Sequence, residues 1–481
     1  SEPVILDFLR KSGSSPLEIK CFSDGIYNCT HPSGLTSTET RRYSNLIAPH
    51  MERIQSLILS AFAVHGLLPI LEKPAPVLEE LRLELVDESF VGLVNLFRGQ
   101  ASRLRDVVLE NIPFRWDSAV LAGLRSLKIS SRFDYPPSSL QVRRLLEENP
   151  GLETMDIEDV TITGPERFAD DAVELSDGGK PSRVAMHNME KLRLCGLPFQ
   201  LVRAVLDNVE IPSIKHFDLR CLFGGQPASS LLGPNMKHLV GPLLRQSQGT
   251  RRVEITFGKT SIGFEIYFGR KDPPIRIVLE DTALPMDGFG WLAENFLLAE
   301  GLPSVCAADT FQISLKFWGD FDMAKGAFIP ILDQLGAVKV KALTIESNCQ
   351  HGGELIKYLG DANDNFLWPL PHLTSLTIGG HAELANNLLT TLQRRKNTAL
   401  GGALDSLRPA PLEVLDLESM EVLDGNVEEG LAECVSPSGT FIRARWQPFE
   451  YRTGFGDYWD DFDDDEEEED IYDNYEPFVL W

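Results

Sequence analysis

An apolar pattern at offsets 0, +3 and +5, written LxxLxL, recurs along the chain from residue 54 to residue 417. Alternation within each LxL places its apolar side chains on one face of a short strand and the intervening side chains on the other. Ten copies are far too many for chance, so the pattern predicts a repeat protein. The copies begin at Ile54, Leu78, Leu104, Leu124, Leu152, Met189, Ile214, Val340, Leu373 and Leu412.

Three further β-type runs lie in the gap between residues 220 and 340, and we interpret them as decayed repeats. They keep only the +3 and +5 members: Val253 with Ile255, Ile277 with Leu279, and Ile313 with Leu315. Consecutive clear copies outside the gap begin 20 to 39 residues apart. That range overlaps and exceeds the spacing of about 20 to 29 residues in leucine-rich repeats. The sequence therefore predicts roughly 13 irregular repeats with insertions.

Apolar stripes at helical spacing lie between several of the expected strands. Residues 199–208, FQLVRAVLDN, place Leu201, Val202, Val205 and Leu206 on one side of a helix. Strand and helix in alternation predict an α/β leucine-rich-repeat solenoid, a horseshoe with parallel inner strands and outer helices. Further helices are expected at 139–150, 291–300, 328–336 and 382–396.

We divide the chain into four parts: an N-terminal cap of helix, strand and loop (1–50), the solenoid (51–420), a C-terminal cap (421–456) and an acidic tail (457–481). Thirteen acidic residues and no basic one lie between Asp457 and Glu476. Such a run cannot bury enough apolar surface to order itself, so we expect the tail to be disordered. It carries half of the net charge of −26. The body is only mildly acidic, which disfavours a nucleic-acid ligand.

The residues that usually carry chemistry form no recognisable site. The seven cysteines show no CxxC spacing, the nine histidines are dispersed, and no HExxH, GxSxG or P-loop motif occurs. We therefore expect no catalytic residues, no cofactor and no metal. The sequence shows no secretory signal and no apolar run long enough to span a membrane. It predicts a cytoplasmic or nuclear protein that is not an enzyme.

Many leucine-rich repeats carry asparagine at offset +8, where its amide satisfies backbone groups as the chain leaves the strand. In this chain the position holds apolar residues in five copies: Ile112, Val160, Leu197, Leu222 and Met420. We expect the turns to be closed in other ways.

Several phrases of the sequence resemble the leucine-rich region of F-box-like proteins from mushroom-forming (basidiomycete) fungi. The longest is LFRGQASRLRDVVLENIPFRWDSAVLAGLRSLKIS (96–130), and PAPVLEELRLEL (74–85), NPGLETMDIEDV (149–160) and WPLPHLTSLTIGG (368–380) are similar. The opening VILDFLRKSGSSPLEIKCF (4–22) is similar to the stretch that follows the F-box in that family. The resemblance covers residues 1 to about 420.

The resemblance implies that the repeats recruit substrates to a cullin-type (SCF) ubiquitin ligase. In that family an N-terminal F-box docks on a Skp-type adaptor, and the F-box itself does not precede the phrase at 4–22 in this chain. We therefore expect adaptor binding only if an F-box lies upstream of Ser1. The alternative is a stand-alone leucine-rich-repeat scaffold or inhibitor with no link to a ligase.

Offsets +2, +4 and +6 of each copy should face the concave side, where solenoid proteins usually bind a protein ligand. These positions are acidic in the early copies and basic in the middle ones, which suits a protein of complementary charge. We also place Arg193 and Arg220 at equivalent positions of neighbouring strands, where they would clamp one carboxylate. The expected partner-binding residues are Arg82, Asp156, Lys191, Arg193, Asp218, Arg220, Arg252 and Glu254.

Overall fold

The computed structural model describes residues 2–21, 37–61, 64–85, 93–112, 114–130, 137–158, 183–224, 252–258, 261–267, 275–280, 312–317, 340–347, 351–359, 370–381, 383–400, 409–417, 420, 423–443 and 479–480. The helices expected at 291–300 and 328–336 lie outside these residues, as does most of the expected acidic tail.

The described residues form helices and strands in alternation over much of the chain. The helices are α1 (Glu2–Lys11), α2 (Ser37–Ile47), α3 (Val64–Leu71), α4 (Ser139–Glu147), α5 (Phe199–Asn208), α6 (His351–Leu359), α7 (Glu383–Leu400) and α8 (Gly425–Glu433). The strands up to residue 222 are β1 (Leu17–Cys21), β2 (Ile54–Ala61), β3 (Glu80–Leu85), β4 (Asp106–Glu110), β5 (Ser126–Ser130), β6 (Thr154–Glu158), β7 (Val184–Ala185), β8 (Lys191–Pro198), β9 (Val209–Glu210) and β10 (His216–Leu222). Those that follow are β11 (Arg252–Phe257), β12 (Ile262–Tyr267), β13 (Ile275–Glu280), β14 (Gln312–Phe317), β15 (Ala342–Ser347), β16 (Ser375–Gly380), β17 (Val414–Asp416), β18 (Thr440–Ile442) and β19 (Val479–Leu480).

Seventeen of these strands form one long open sheet, and β7 pairs with β9 in a separate parallel pair. Neighbouring strands of the long sheet are parallel except at three pairings, β1 with β19, β11 with β12, and β12 with β13. From one edge to the other the order is β19, β1, β2, β3, β4, β5, β6, β8, β10, β13, β12, β11, β14, β15, β16, β17 and β18. A long, mostly parallel sheet with interspersed helices is compatible with an α/β repeat solenoid.

The LxxLxL pattern sets the register of the parallel strands. From β2 to β10 the +3 residues pair from one strand to the next, and each is at most 1% exposed: Leu57, Leu81, Val107, Leu127, Met155, Leu192 and Phe217. The same ladder continues in the second half through Ile313, Leu343, Leu376 and Leu415. One face of the sheet is therefore an unbroken apolar layer.

Helices cover this apolar face. Helix α5 has the bounds expected from its apolar stripe, and Leu201, Val202, Val205 and Leu206 join the same buried core as the strand residues. Helix α4 begins with a capping box, in which the backbone N–H of Gln141 donates to Ser138 Oγ at 3.2 Å and Gln141 Oε1 accepts from the backbone N–H of Ser138. It ends at Glu147, shortly before Pro150.

The middle of the sheet departs from the expected series of parallel repeats. The chain runs β10, β11, β12, β13, β14, but β13 lies beside β10, and β11 lies beside β14. Strand β12, which the repeat pattern did not predict, lies between β11 and β13 and is antiparallel to both. The register also shifts by two residues, because Leu219 at offset +5 pairs with Ile277 at offset +3. A repeat that keeps only its apolar residues at offsets +3 and +5 does not determine which strand lies beside it, or in which register the two strands pair.

A buried amide and an exposed guanidinium group each close a turn before a strand. Asn149 is 1% exposed; its Oδ1 accepts from the backbone N–H of Leu124 at 2.6 Å, and its Nδ2 donates to the carbonyls of Leu121 and Leu145. Arg105 Nη1 donates to the carbonyl of Gly123 in the next repeat at 3.0 Å. Both contacts lie where the chain enters a strand, so the expectation about the turns that follow the strands stays a prediction.

The two edges of the sheet differ in strand direction: one edge pairing is antiparallel and the other is parallel. At one edge Val479–Leu480 pair antiparallel with Lys20 and Ile19 of β1. These two residues are the part of the expected tail that the structure describes. At the other edge β18 continues the parallel series beside β17.

Candidate binding surface on the open face of the sheet

The face opposite the apolar layer, here called the open face, carries the side chains at offsets +2, +4 and +6. Its central row crosses the sheet without interruption, because each residue pairs in register with the next: Arg82, Val108, Lys128, Asp156, Arg193, Asp218, Arg276, Glu265, Glu254, Ser314, Thr344 and Thr377. All eight residues expected to bind a partner lie on this face, in β3, β6, β8, β10 and β11.

Four of the expected residues come together around Arg193. Its Nη1 lies 2.6 Å from Glu158 Oε2 and 3.6 Å from Asp156 Oδ1, and its Nε lies 3.4 Å from Asp218 Oδ2. Asp156 also accepts from Lys191 Nζ at 3.1 Å. Arg193 therefore joins strands β6, β8 and β10 through three carboxylates.

The expected clamp of one carboxylate by Arg193 and Arg220 is wrong. The register of β8 and β10 places Arg193 opposite Asp218, so Arg220 lies two residues further along its strand. Arg220 Nε pairs instead with Glu280 Oε2 of β13 at 2.8 Å. The two guanidinium groups thus serve different carboxylates of the chain itself.

The other expected residues also have partners within the chain. Arg252 Nη2 donates to Glu254 Oε2 at 2.7 Å, and Glu254 Oε1 lies 3.0 Å from Lys316 Nζ. Lys316 in turn lies 3.5 Å from Glu346 Oε2 of β15. Arg82 of β3 lies apart from this network, with Glu84 Oε2 at 3.9 Å.

Sequence reasoning missed several residues of the surface: Glu265, Arg276, Glu280, Lys316 and Glu346. Glu265 lies on the unpredicted strand β12, and it pairs with Arg276 of β13 at 3.0 Å. A signal for this hairpin was present, because two alternating runs flank a Gly-containing link of four residues at 258–261.

The charges in the middle of the open face are nearly balanced, with a small excess of basic side chains in the expected direction. Strands β8 to β13 place five basic side chains there, Lys191, Arg193, Arg220, Arg252 and Arg276, against four acidic ones, Asp218, Glu254, Glu265 and Glu280. Three of these residues belong to β12 and β13, which the swapped strand order brings between β10 and β11.

Most cations of this region are more exposed than the carboxylates, although Arg193 and Asp218 are equally exposed at 32% and 31%. The cations reach solvent, with side chains 44% exposed at Arg220, 42% at Lys191 and 37% at Arg276. Asp156 is only 10% exposed, Glu254 13% and Glu280 16%, so these carboxylates lie beneath the cations. An approaching molecule meets guanidinium and ammonium groups first.

Burial and charge shift two titrating groups on this face. Burial, reinforced by the carboxylate of Asp218, raises the pKa of the Cys195 thiol to about 12, so it stays protonated at neutral pH. Partial burial, followed by repulsion from Glu110 in the next strand, raises the pKa of Glu84. Arg82 and Lys128 oppose that rise.

No cluster of three or more histidine, cysteine, aspartate or glutamate residues with the geometry of a metal site occurs in the described residues. None of the described helices is both long and apolar enough to cross a membrane. Comparison of the sequence with protein-family models and with curated proteins gives no match.

Proposed function

We propose that the chain is a leucine-rich-repeat horseshoe whose open face binds a protein partner, and that it carries out no catalysis. The bound segment presents acidic side chains to the middle of the sheet, between β8 and β13. The observation that carries this proposal is the depth of the charges, since the cations of that region are exposed above carboxylates that are largely buried. Charge complementarity of this kind favours specificity and fast association.

The near balance of charge argues against a polynucleotide as the ligand. A phosphate backbone binds by the neutralisation of many successive phosphates, which requires an excess of cations along a groove. In the middle of this face each basic side chain of β8 to β13 already has a carboxylate of the chain within 4.0 Å. A protein segment with a few well-placed carboxylates can share these cations, because each carboxylate contact is local.

The recruitment of substrates to an SCF ubiquitin ligase is the biological setting we propose, in the cytoplasm or nucleus. Its support is the resemblance of residues 1 to about 420 to F-box-like leucine-rich-repeat proteins. In this setting the open face holds the substrate, and the Skp-type adaptor binds only if an F-box lies upstream of Ser1.

Paired substitutions test the binding face without leaving a buried charge unpaired. Arg220→Met combined with Glu280→Gln removes one exposed cation together with its own carboxylate. Arg203→Met combined with Asp207→Asn removes an exposed pair on helix α5 and is the matched control. We expect the first double variant to weaken the partner captured from the native source by about tenfold, which corresponds to about 1.4 kcal/mol, and the control to leave binding unchanged. Equal binding by both would contradict the proposed face.

The proposed link to an SCF ubiquitin ligase has a separate test. The product of the complete transcript is incubated with purified Skp-type adaptor, and capture is compared with that by residues 1–481 alone. If capture of the adaptor requires sequence upstream of Ser1, the result supports the hypothesis that the protein recruits substrates to an SCF ubiquitin ligase. If the complete product captures no adaptor while the open face still binds its partner, the chain is a stand-alone scaffold or inhibitor.

A further inference from the structure

A cavity of about 120 Å³ lies at the C-terminal end of the described repeats. It is enclosed by the second half of α7, by the segment that leads into β17, and by the turn that follows α8. Its walls are mainly apolar, and they include Leu392, Pro411, Leu412, Val435 and Pro437. None of the lining residues is acidic.

Arg395 of α7 lines this cavity, and it is 4% exposed. Its Nη2 donates to three backbone carbonyls, those of Leu370, Leu373 and Ala410, at 3.1 to 3.3 Å. Its Nε and Nη1 have no hydrogen-bond partner in the part of the chain that the structure describes. Two strong donors of a buried cation therefore lack an acceptor close to an apolar cavity, and less than 1 Å² of each is accessible in the present side-chain conformation.

The burial of a charge without a counter-ion is costly, and buried charges in proteins are normally paired. No ion pair of the described residues involves Arg395, whereas Arg193, Arg220, Arg252 and Arg276 of the sheet all have carboxylate partners. Burial lowers the pKa of Arg395 to about 10, which still leaves the side chain protonated at neutral pH. A second cation, exposed Lys396, lies at the same cavity and donates to the carbonyl of Glu433 at 2.6 Å.

We propose that this cavity binds a short aliphatic carboxylate, with its hydrocarbon part among Leu392, Leu412 and Val435 and its carboxylate on Arg395. The size fits, since an apolar cavity of roughly 150 Å³ holds benzene, and about 120 Å³ holds a branched chain of a few carbon atoms. When the guanidinium turns toward the cavity, the carboxylate supplies the acceptors that Nε and Nη1 lack, and charge-assisted bonds of this kind are among the stronger hydrogen bonds.

The test compares ligands of the same shape that differ in charge. Isobutyrate, isovalerate and isocaproate are titrated into the protein up to about 10 mM, a range suited to weak small ligands, beside isobutyramide, isovaleramide and isocaproamide. Binding is followed by methyl NMR of Leu392, Leu412 and Val435 and by the midpoint of thermal unfolding. We expect at least one carboxylate to bind about ten- to hundredfold more tightly than its amide, because a hydrogen bond to a charged group contributes about 1.5–3 kcal/mol.

Two variants and one control locate the effect. Arg395→Met should weaken carboxylate binding about ten- to hundredfold, whereas Arg394→Met, an exposed neighbour on the same helix, should leave it unchanged. Val435→Phe fills the cavity without altering the guanidinium, so it keeps the test open if Arg395→Met does not fold, and it should abolish carboxylate binding. The proposal is overturned if no carboxylate of the series binds, if the amides bind equally well, or if Val435→Phe leaves carboxylate binding intact.

Discussion

Asp156 and Arg193 face each other in register across β6 and β8, with Asp156 Oδ1 3.6 Å from Arg193 Nη1. The same guanidinium contacts Glu158 and Asp218, so a single cation on β8 offsets three carboxylates on its two neighbouring strands. The proposed role of Arg193 in partner binding is thus coupled to the stability of the sheet. Charge removal at Arg193 changes both, and the two effects must be measured separately.

Arg193→Met should lower the free energy of unfolding by about 1–3 kcal/mol, because it leaves partly buried carboxylates without their cation. This loss in the free energy of unfolding is smaller than for a fully buried ion pair, because the Arg193 side chain is 32% exposed. Urea unfolding measures the change. Arg203→Met, in an exposed pair with Asp207 on α5, is the control and should change stability by less than about 0.5 kcal/mol. Equal effects of the two variants would refute the structural role of Arg193.

Glu84→Gln should stabilise the protein at neutral pH by roughly 0.2–1 kcal/mol, since Glu84 lies opposite Glu110 in the next strand. The pKa of Glu84 is raised in the fold by burial and by that repulsion, so its charged form is less favourable in the folded state than in the unfolded state. The gain should therefore shrink as the pH falls through the raised pKa, where Glu84 takes up a proton. Thermal unfolding across acid and neutral pH tests this. A stabilisation by Glu84→Gln that grows as the pH falls would contradict this prediction.

Disulfide formation tests the swapped strand order in the middle of the sheet. Asp218→Cys with Arg276→Cys places two thiols on neighbouring strands, roughly 4.8 Å apart. Asp218→Cys with Glu254→Cys places them three strands apart, roughly 14 Å, which is beyond the limit of about 7 Å between the Cα atoms of a disulfide. Peptide mapping after mild oxidation should find the first cross-link and not the second. The second cross-link without the first would show that β10 lies beside β11, in the order in which the strands follow one another along the chain.

Asn149→Ala should destabilise the protein by about 3 kcal/mol, because it leaves a buried N–H and two buried carbonyls without the side chain that satisfies them. Asn426→Ala, at the exposed start of α8, is the control and should have little effect. Chemical unfolding of both variants gives the comparison. A loss below about 1 kcal/mol at Asn149 would show that water replaces the amide at this turn.

Much of the sheet could be predicted from the sequence because the apolar period of a strand is short and strict. Leu81 and Leu83, for example, follow the LxxLxL pattern, and both are fully buried in β3. Helix α5 was predicted with its observed bounds because its stripe is strong and Pro198 precedes it. Strand β12 was missed because it carries no anchor of the repeat, although its residues alternate.

The candidate surface was predictable only in part. Alternation assigns Asp156, Arg193 and Asp218 to the open face, and the structure places them together there. Alternation does not say which strands are neighbours, so the pairing of Arg220 with Glu280, 60 residues away, could not follow from repeat spacing. The depth of each charge also depends on its neighbours across the sheet, and a single sequence does not contain these.

The most direct test of the central claim, that the open face binds the protein partner, is photo-crosslinking from single positions on opposite faces. A benzophenone side chain replaces Val108, which lies in the central row of the open face without a charge of its own, or Leu140, which is 53% exposed on α4 behind the sheet. The account predicts that the partner cross-links from position 108 and not from position 140. Cross-linking from position 140 alone would contradict it.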